Sequence, residues 1–378
     1  MPLRNVHPGK PYSNTPIETM IYFDHAAATR PEEAVLQYCM DAMRNCYANQ
    51  ESLHKLSYDA RMALADAASR LLAALLDAPG KYAVIWCDSA TGAFRFLAAF
   101  LNGKRVVSST LEHPALTANF RTKTDFTALP CARDGKIILP SELPPADAVI
   151  FHHVQSEIGI IQELPRLFAA FPGALKITDA VQSAGKLAMS PDADIHIISG
   201  VKFGSPGGAA ILFRKDAPQL LRFPAFASAF RSKDYAASRV SVPMAMTLAF
   251  AAEYRKQRME ENFRKVSVLA ARLEERFAAI GVYPTLPSGA DTSPYIRNFL
   301  LDNVQSAVIV RALSSAGICT AAGSACAAES GNPSPALLAL GLNKNAAYSG
   351  FRVSLDDSNS ENDVDFLASE LKNALKNY

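Results

Sequence analysis

No stretch of this sequence approaches the roughly 18 consecutive apolar residues that a membrane-spanning helix needs. None of the six cysteines forms a CxxC pair or joins a Cys/His cluster at zinc spacing, so a structural metal is not expected. Charge of one sign is also missing. The 38 basic and 36 acidic residues leave a net +2, which argues against an electrostatic nucleic-acid binder. No GxGxxG follows the first buried strand, and "GSPGG" lacks the GxxxxGK-S/T frame, so dinucleotide-binding and P-loop readings are both poor. The opening "MPLRNVHPGKPYSNTPIET" has no apolar h-region and reads as an irregular arm. A cytoplasmic protein without membrane contact is therefore the expectation. Internal repeats and low-complexity tracts are lacking too.

What is present is a long chain with a large core. Its 378 residues exceed what one simple core supports, so two packed units are expected, and 49% hydrophobic against 20% charged residues suits them. "PEEAVLQYCMDAMRNC" and "SYDARMALADAASRLLAALL" show helical spacing, the first with proline and acids where a helix dipole favours them. "YAVIWC", "RVVSS", "DAVIFHH", "LKITDA" and "IHIIS" read as short buried strands separated by turns or helical pieces. That alternation predicts an α/β fold with a mostly parallel sheet sandwiched by helices. A long helical stretch from residue 243 to Gly281 then leads into "YIRNFLL", "AVIVRALSSAG", "FRVSL" and a terminal helix, a small α+β unit. The expected organisation is an arm at 1–20 packing with the small domain, a large domain at 21–250 and a small domain at 251–378.

In an open parallel sheet ligands bind beyond the carboxyl ends of the strands, and four such ends carry suggestive side chains. Ser89, Ala90 and Thr91 follow "YAVIWC" at a helix start, which suits either a phosphate cup or an ordinary Ser/Thr cap. Asp179 ends "LKITD", with Gln182 three residues on. It caps the next turn or pairs with a cationic ring nitrogen such as that of pyridoxal 5'-phosphate (PLP). Ser199 and Lys202 follow "IHIIS", and a lysine so placed is either a snorkelling surface residue or an amine for a cofactor carbonyl. His113, just before a proline, is an exposed loop residue or a member of the same group. Cys39, Cys46, Cys87, Cys131, Cys319 and Cys326 are each read as buried and inert.

Eight segments in order carry a resemblance: "YFDHAAATRPEEAV", "NQESLHKLSYDAR", "STLEHPAL", "HVQSEIGIIQ", "TDAVQSAGK", "SGVKF", "AAGSACAAES" and "LLALGLNKNAAYSGFRVSL". Through them the chain resembles the cysteine desulfurases, PLP-dependent enzymes of transferase fold type I related to class V aminotransferases. The resemblance implies that Lys202 holds PLP covalently, that Asp179 pairs with the pyridine nitrogen and that Gln182 lies near the ring hydroxyl. His113 would stack over the ring and move protons. Ala90, Thr91 and Ser199 would hold the phosphate, Ser156 would lie in the cofactor and substrate region, and Arg352 would grip the substrate carboxylate. Cys326 would be the nucleophile that takes sulfur from L-cysteine and passes it, as a persulfide, to an acceptor protein or iron–sulfur scaffold. A homodimer is implied, each phosphate site being completed by the neighbouring chain.

Departures from the family pattern cluster around the phosphate. Val201 stands where a histidine usually precedes the lysine, Ser89 and Gly92 replace glycine and glutamate, and Gln155 and Ser156 replace paired asparagines. "AASRVSVP" puts Arg239 or Ser241 where the partner-reaching threonine would be. Other readings therefore stay open at this level: a different class V enzyme, such as an aminotransferase or selenocysteine lyase, or a catalytically degenerate homologue.

Overall fold

The structure, a computed structural model, describes residues 20–222, 241–302, 304–323 and 332–377. The N-terminal arm, Arg239 and Cys326 lie outside them. The described residues open with β1 (Ile21–Tyr22), α1 (Glu33–Asn45) and α2 (Lys55–Leu75), followed by β2 (Tyr82–Cys87), α3 (Ala90–Phe100), β3 (Arg105–Ser109) and α4 (Pro114–Arg121). Next come β4 (Asp125–Leu129), β5 (Ala148–His152), α5 (Leu164–Ala169), β6 (Leu175–Asp179), β7 (Ile195–Ser199) and β8 (Ala209–Arg214). The C-terminal part contains α6 (Val242–Ala278), β9 (Tyr283–Pro284), β10 (Ile296–Leu300), α7 (Ser306–Ser315), β11 (Ile318–Cys319) and β12 (Ala321–Ala322). It closes with α8 (Pro335–Ala339), α9 (Lys344–Tyr348), β13 (Gly350–Ser354) and α10 (Glu361–Lys376).

Among the described residues, seven strands form the main sheet in the order β2-β8-β7-β6-β5-β3-β4. Only β8 runs against its neighbours, so the sheet is mostly parallel. The central strands "AVIFH" and "IHIIS" are buried at every position, as strands covered by helices on both faces must be. The edge strand β4 alternates between exposed and covered positions and its sequence, "DFTAL", has too few apolar residues to stand out. Reading by apolar runs misses it for that reason.

A second sheet, β12-β13-β10-β9, is antiparallel and carries α7 and α10. Helix α6 joins the two units as one continuous rod. Its early residues Ala245, Leu248 and Ala249 pack beneath the main sheet, whereas Val266, Leu269 and Phe277 enter the core of the smaller one. Phe23, from the start of the chain, lies in that second core too. The helix ends at Ala278 rather than at Gly281, which lies just beyond it with a φ of 79°. Two buried contacts lock the units together. Arg255 on α6 donates to the Phe203 carbonyl at 3.1 Å and forks onto Asp356 at 3.0 and 2.5 Å. Gly159 has a φ of 72°, and a Cβ there would lie 2.4 Å from the Ile296 carbonyl oxygen, so the loop meets β10 only because this residue has no side chain.

Two cysteines behave as expected: Cys39 and Cys87 are buried, and burial pushes the Cys87 thiol up to about 12. Cys46, Cys131 and Cys319 are only half-buried, which corrects the expectation of a uniformly buried set. Cys46 caps the end of α1, Cys131 lies on an isolated bridge with Ile137, and Cys319 ends the short strand β11 paired with β1, all outside the main sheet.

Candidate active site

The parallel strands end together. β5 ends at His152, β6 at Asp179 and β7 at Ser199, each the last residue of an apolar run, so three polar side chains emerge on one edge of the sheet. A cavity of about 250 Å³ opens there. It is lined by nine of the residues that sequence reasoning singled out, namely Ala90, Thr91, His113, Ser156, Asp179, Gln182, Ser199, Lys202 and Arg352. Ser89 and Val201 line it as well. Cys326, the tenth, is outside the described residues.

Lys202 sits in a single 3-10 turn, Gly200–Lys202, directly after β7. A Cβ on Gly200 would fall 2.5 Å from Leu248 Cδ1 and 2.7 Å from the Gly207 carbonyl oxygen, so this turn can pack against α6 only through glycine. The loop "AAAT" clamps the lysine from above. Thr29 Oγ1 donates to the Lys202 carbonyl at 2.9 Å, Thr29 N–H to the Val201 carbonyl at 2.7 Å, and Lys202 Nζ donates to the Ala27 carbonyl.

Asp179 accepts the Val181 N–H at 3.0 Å, and burial pushes its carboxyl up to about 7. Glu112 adds to that rise while His152 and Lys202 oppose it. A buried carboxyl of this kind gains most from a cationic partner. Gln182 Nε2 donates to the Ala26 carbonyl at 2.9 Å, leaving Oε1 buried with no partner at the edge of the cavity. His113 caps α4, its Nδ1 accepting the Ala115 N–H at 3.1 Å, so the neutral ring carries its proton on Nε2. Burial, with Lys202 and Arg352 nearby, holds its pKa down.

At the start of α3, Ser89 Oγ accepts the Gly92 N–H at 3.1 Å. The hydroxyl is therefore a helix cap, while Ala90 and Thr91 face the cavity beside it. The cap reading of this turn holds, and the first residues of the capped helix border the cavity. Arg352, on β13, crosses from the small unit. Nη2 lies 2.7 Å from Asp24 Oδ1, Nη1 donates to the Ser156 carbonyl at 2.9 Å, and Nε is buried without a partner. Ser156 thus acts here through its backbone oxygen.

Three groups were missed from sequence. His152, Glu112 and Asp24 each contact this site, and the only visible sign was the doublet "HH" ending a strand. Their roles depend on strand register, which a single sequence does not display.

An amine on a strand-end turn, a buried carboxyl poised for a ring cation, an unpartnered amide oxygen and a helix start together fit PLP. The fold and site define a PLP-dependent enzyme of fold type I. The chain belongs to the aminotransferase class-V family, whose model matches residues 21–367, and its similarity within that family lies with the cysteine desulfurases. It is 25% identical to the cysteine desulfurase NifS of Azotobacter vinelandii over 370 residues, covering 93% of this chain and 91% of that one. It is 27% identical to a cysteine desulfurase of Gluconacetobacter diazotrophicus, covering 91% and 90%. Among solved structures, the apo cysteine desulfurase of Thermococcus onnurineus NA1 superposes with a TM-score of 0.80 at 18% identity, covering 96% of each chain.

Proposed function

We propose that the protein is a cysteine desulfurase that converts L-cysteine to L-alanine and passes the sulfur, through Cys326, to an acceptor protein or iron–sulfur scaffold. The observation that carries this reading is the convergence of Lys202, Asp179, His113 and Arg352 on one cavity. The names of the relatives point the same way. We extend the proposal to a cytoplasmic homodimer.

PLP, when bound, supplies an electron sink for the substrate's α-carbon. Asp179 would meet the ring nitrogen, and Gln182 Oε1 and the start of α3 would border the rest of the cofactor. Arg352 anchors the substrate carboxylate, a task suited to a planar guanidinium. Lys202 Nζ takes up and returns protons at the substrate's carbons, and His113 offers Nε2 as a second exchangeable position. The Cys326 thiolate forms an S–S bond to the substrate's sulfur as the Cβ–S bond breaks and its electron pair stays with carbon. A proton delivered to that carbon completes alanine, and the enzyme keeps the persulfide.

The test is release of sulfide and alanine in equal amounts from L-cysteine by PLP-loaded protein with a thiol reductant. Loss of both in Cys326→Ala is expected. Full activity in that variant overturns the persulfide route and favours another class V reaction.

A further inference from the structure

Behind Asp179 lies a chain of buried polar groups that the chemistry above does not use. His152 and Asp179 are register partners on adjacent parallel strands, and both line the cavity. His152 Nδ1 lies 2.9 Å from Glu112 Oε1, and its Nε2 lies 3.2 Å from Gln162 Nε2. All three side chains are buried.

The direction of these bonds follows from the ends of the chain. Gln162 Oε1 accepts the Ile137 N–H at 3.1 Å, and its Nε2 donates to the Gly135 carbonyl at 2.8 Å, so the amide cannot turn over without losing two backbone partners. It therefore presents N–H to His152. A ring nitrogen facing a donor must carry a lone pair, which places the proton of the neutral ring on Nδ1, donated to Glu112. That carboxylate is itself held by Ser109 Oγ at 2.7 Å and by the His152 backbone N–H at 3.3 Å, all on Oε1. Its other oxygen is buried with no partner.

We propose that Glu112, His152 and Gln162 form a positioning relay that keeps His152 in the neutral Nδ1–H form and so reserves the charge of Asp179 for the ring nitrogen of PLP. Two buried carboxyls, Glu112 and Asp179, flank this imidazole, while Lys202 faces Asp179 from the turn after β7 and His153 follows His152 in the chain. Those carboxyls would favour an imidazolium. The Gln162 N–H stands where the second imidazolium proton would go. Without it, a protonated His152 places a positive charge beside Asp179 and competes electrostatically with the ring nitrogen. The inference rests on PLP as the bound ring and is independent of which amino acid is the substrate.

The experiment has two arms. Long-range proton–nitrogen NMR of histidine-labelled, cofactor-free protein reads the ring directly. The His152 signals should show a protonated Nδ1 and an unprotonated Nε2 near neutral pH, and an Nε2–H tautomer or an imidazolium overturns the proposal. In Gln162→Leu, the same signals should show protonation of Nε2, and PLP should bind severalfold more weakly. Unchanged tautomer and affinity in that variant overturn it equally. If Gln162→Leu fails to fold, the wild-type spectrum still decides. Failure of wild-type protein to bind PLP at all would defeat the functional reading while leaving the tautomer assignment standing.

Discussion

Arg352 Nη2 and Asp24 Oδ1 are 2.7 Å apart, although the two residues are separated by 328 positions in the chain. The guanidinium that faces the cavity already holds a carboxylate, and under the proposed function a substrate carboxylate would have to share or displace it. Exchange of Asp24 for asparagine should therefore tighten binding of L-cysteine severalfold, seen as a lower KM with little change in kcat. Arg352→Lys should act in the opposite direction. Losing a forked, charge-assisted bond of about 1.5–3 kcal/mol raises KM roughly ten- to a hundredfold.

Lys202 is held by the Ala27 carbonyl and the Thr29 hydroxyl bond to its own backbone, so its amine is aimed before any ligand arrives. Lys202→Ala should still fold, because the side chain lies at the cavity rather than in the core. With PLP added, the variant should lack the visible absorbance of a covalently held cofactor, and borohydride should fix no cofactor to it. Retained colour and borohydride fixation would assign the covalent role to another lysine.

The cofactor-free protein should lose stability in mild acid. Burial lowers His25 and His153 to about 4 and His196 to about 3, all below the ordinary histidine value of about 6.5. Between pH 4 and 6.5 the unfolded chain thus binds three protons that the folded chain refuses. Asp179, raised to about 7, works the other way with one proton. The histidines win by two protons, so stability is full near pH 6.5 and falls towards pH 4, by about 1.4 kcal/mol per net proton per pH unit. Denaturation midpoints at pH 5 and 6.5 measure this. His196, fully buried with neither ring nitrogen bonded, is the cleanest single source, and His196→Phe should flatten the acid limb.

Gly159→Ala should separate the loop 154–161 from β10. The left-handed backbone alone costs a non-glycine residue roughly 1–3 kcal/mol, and the new methyl would meet the Ile296 carbonyl at 2.4 Å. A lower melting temperature is expected, together with a higher KM, because β10 pairs with the strand that carries Arg352.

Much of the site was visible in one dimension because strand ends are. Asp179 and Ser199 each close an apolar run, and Lys202 follows among glycines, so burial pattern alone places them at the edge of a sheet. The helix cap at Ser89 and the proline after His113 mark two further turns on the same edge. By contrast, the strand β4 escaped because an edge strand needs no continuous apolar run. Ser156 was expected in the cofactor and substrate region, and it is the carbonyl of this residue, which no side-chain pattern displays, that meets Arg352.

The sequence by itself determined the α/β alternation, the cofactor class and most of the polar residues expected at the cavity, since these follow from local patterning and from ordered motifs along the chain; His152 escaped it. Only the tertiary structure decided which charges meet. Asp24 with Arg352, and Glu112 with His152 at a separation of 40 residues, are pairs made by strand register and by the approach of two units. Hydrophobic patterning says that a strand is buried, but a hydrogen bond between strands depends on a placement fine to about 3 Å, which only the packed chain supplies.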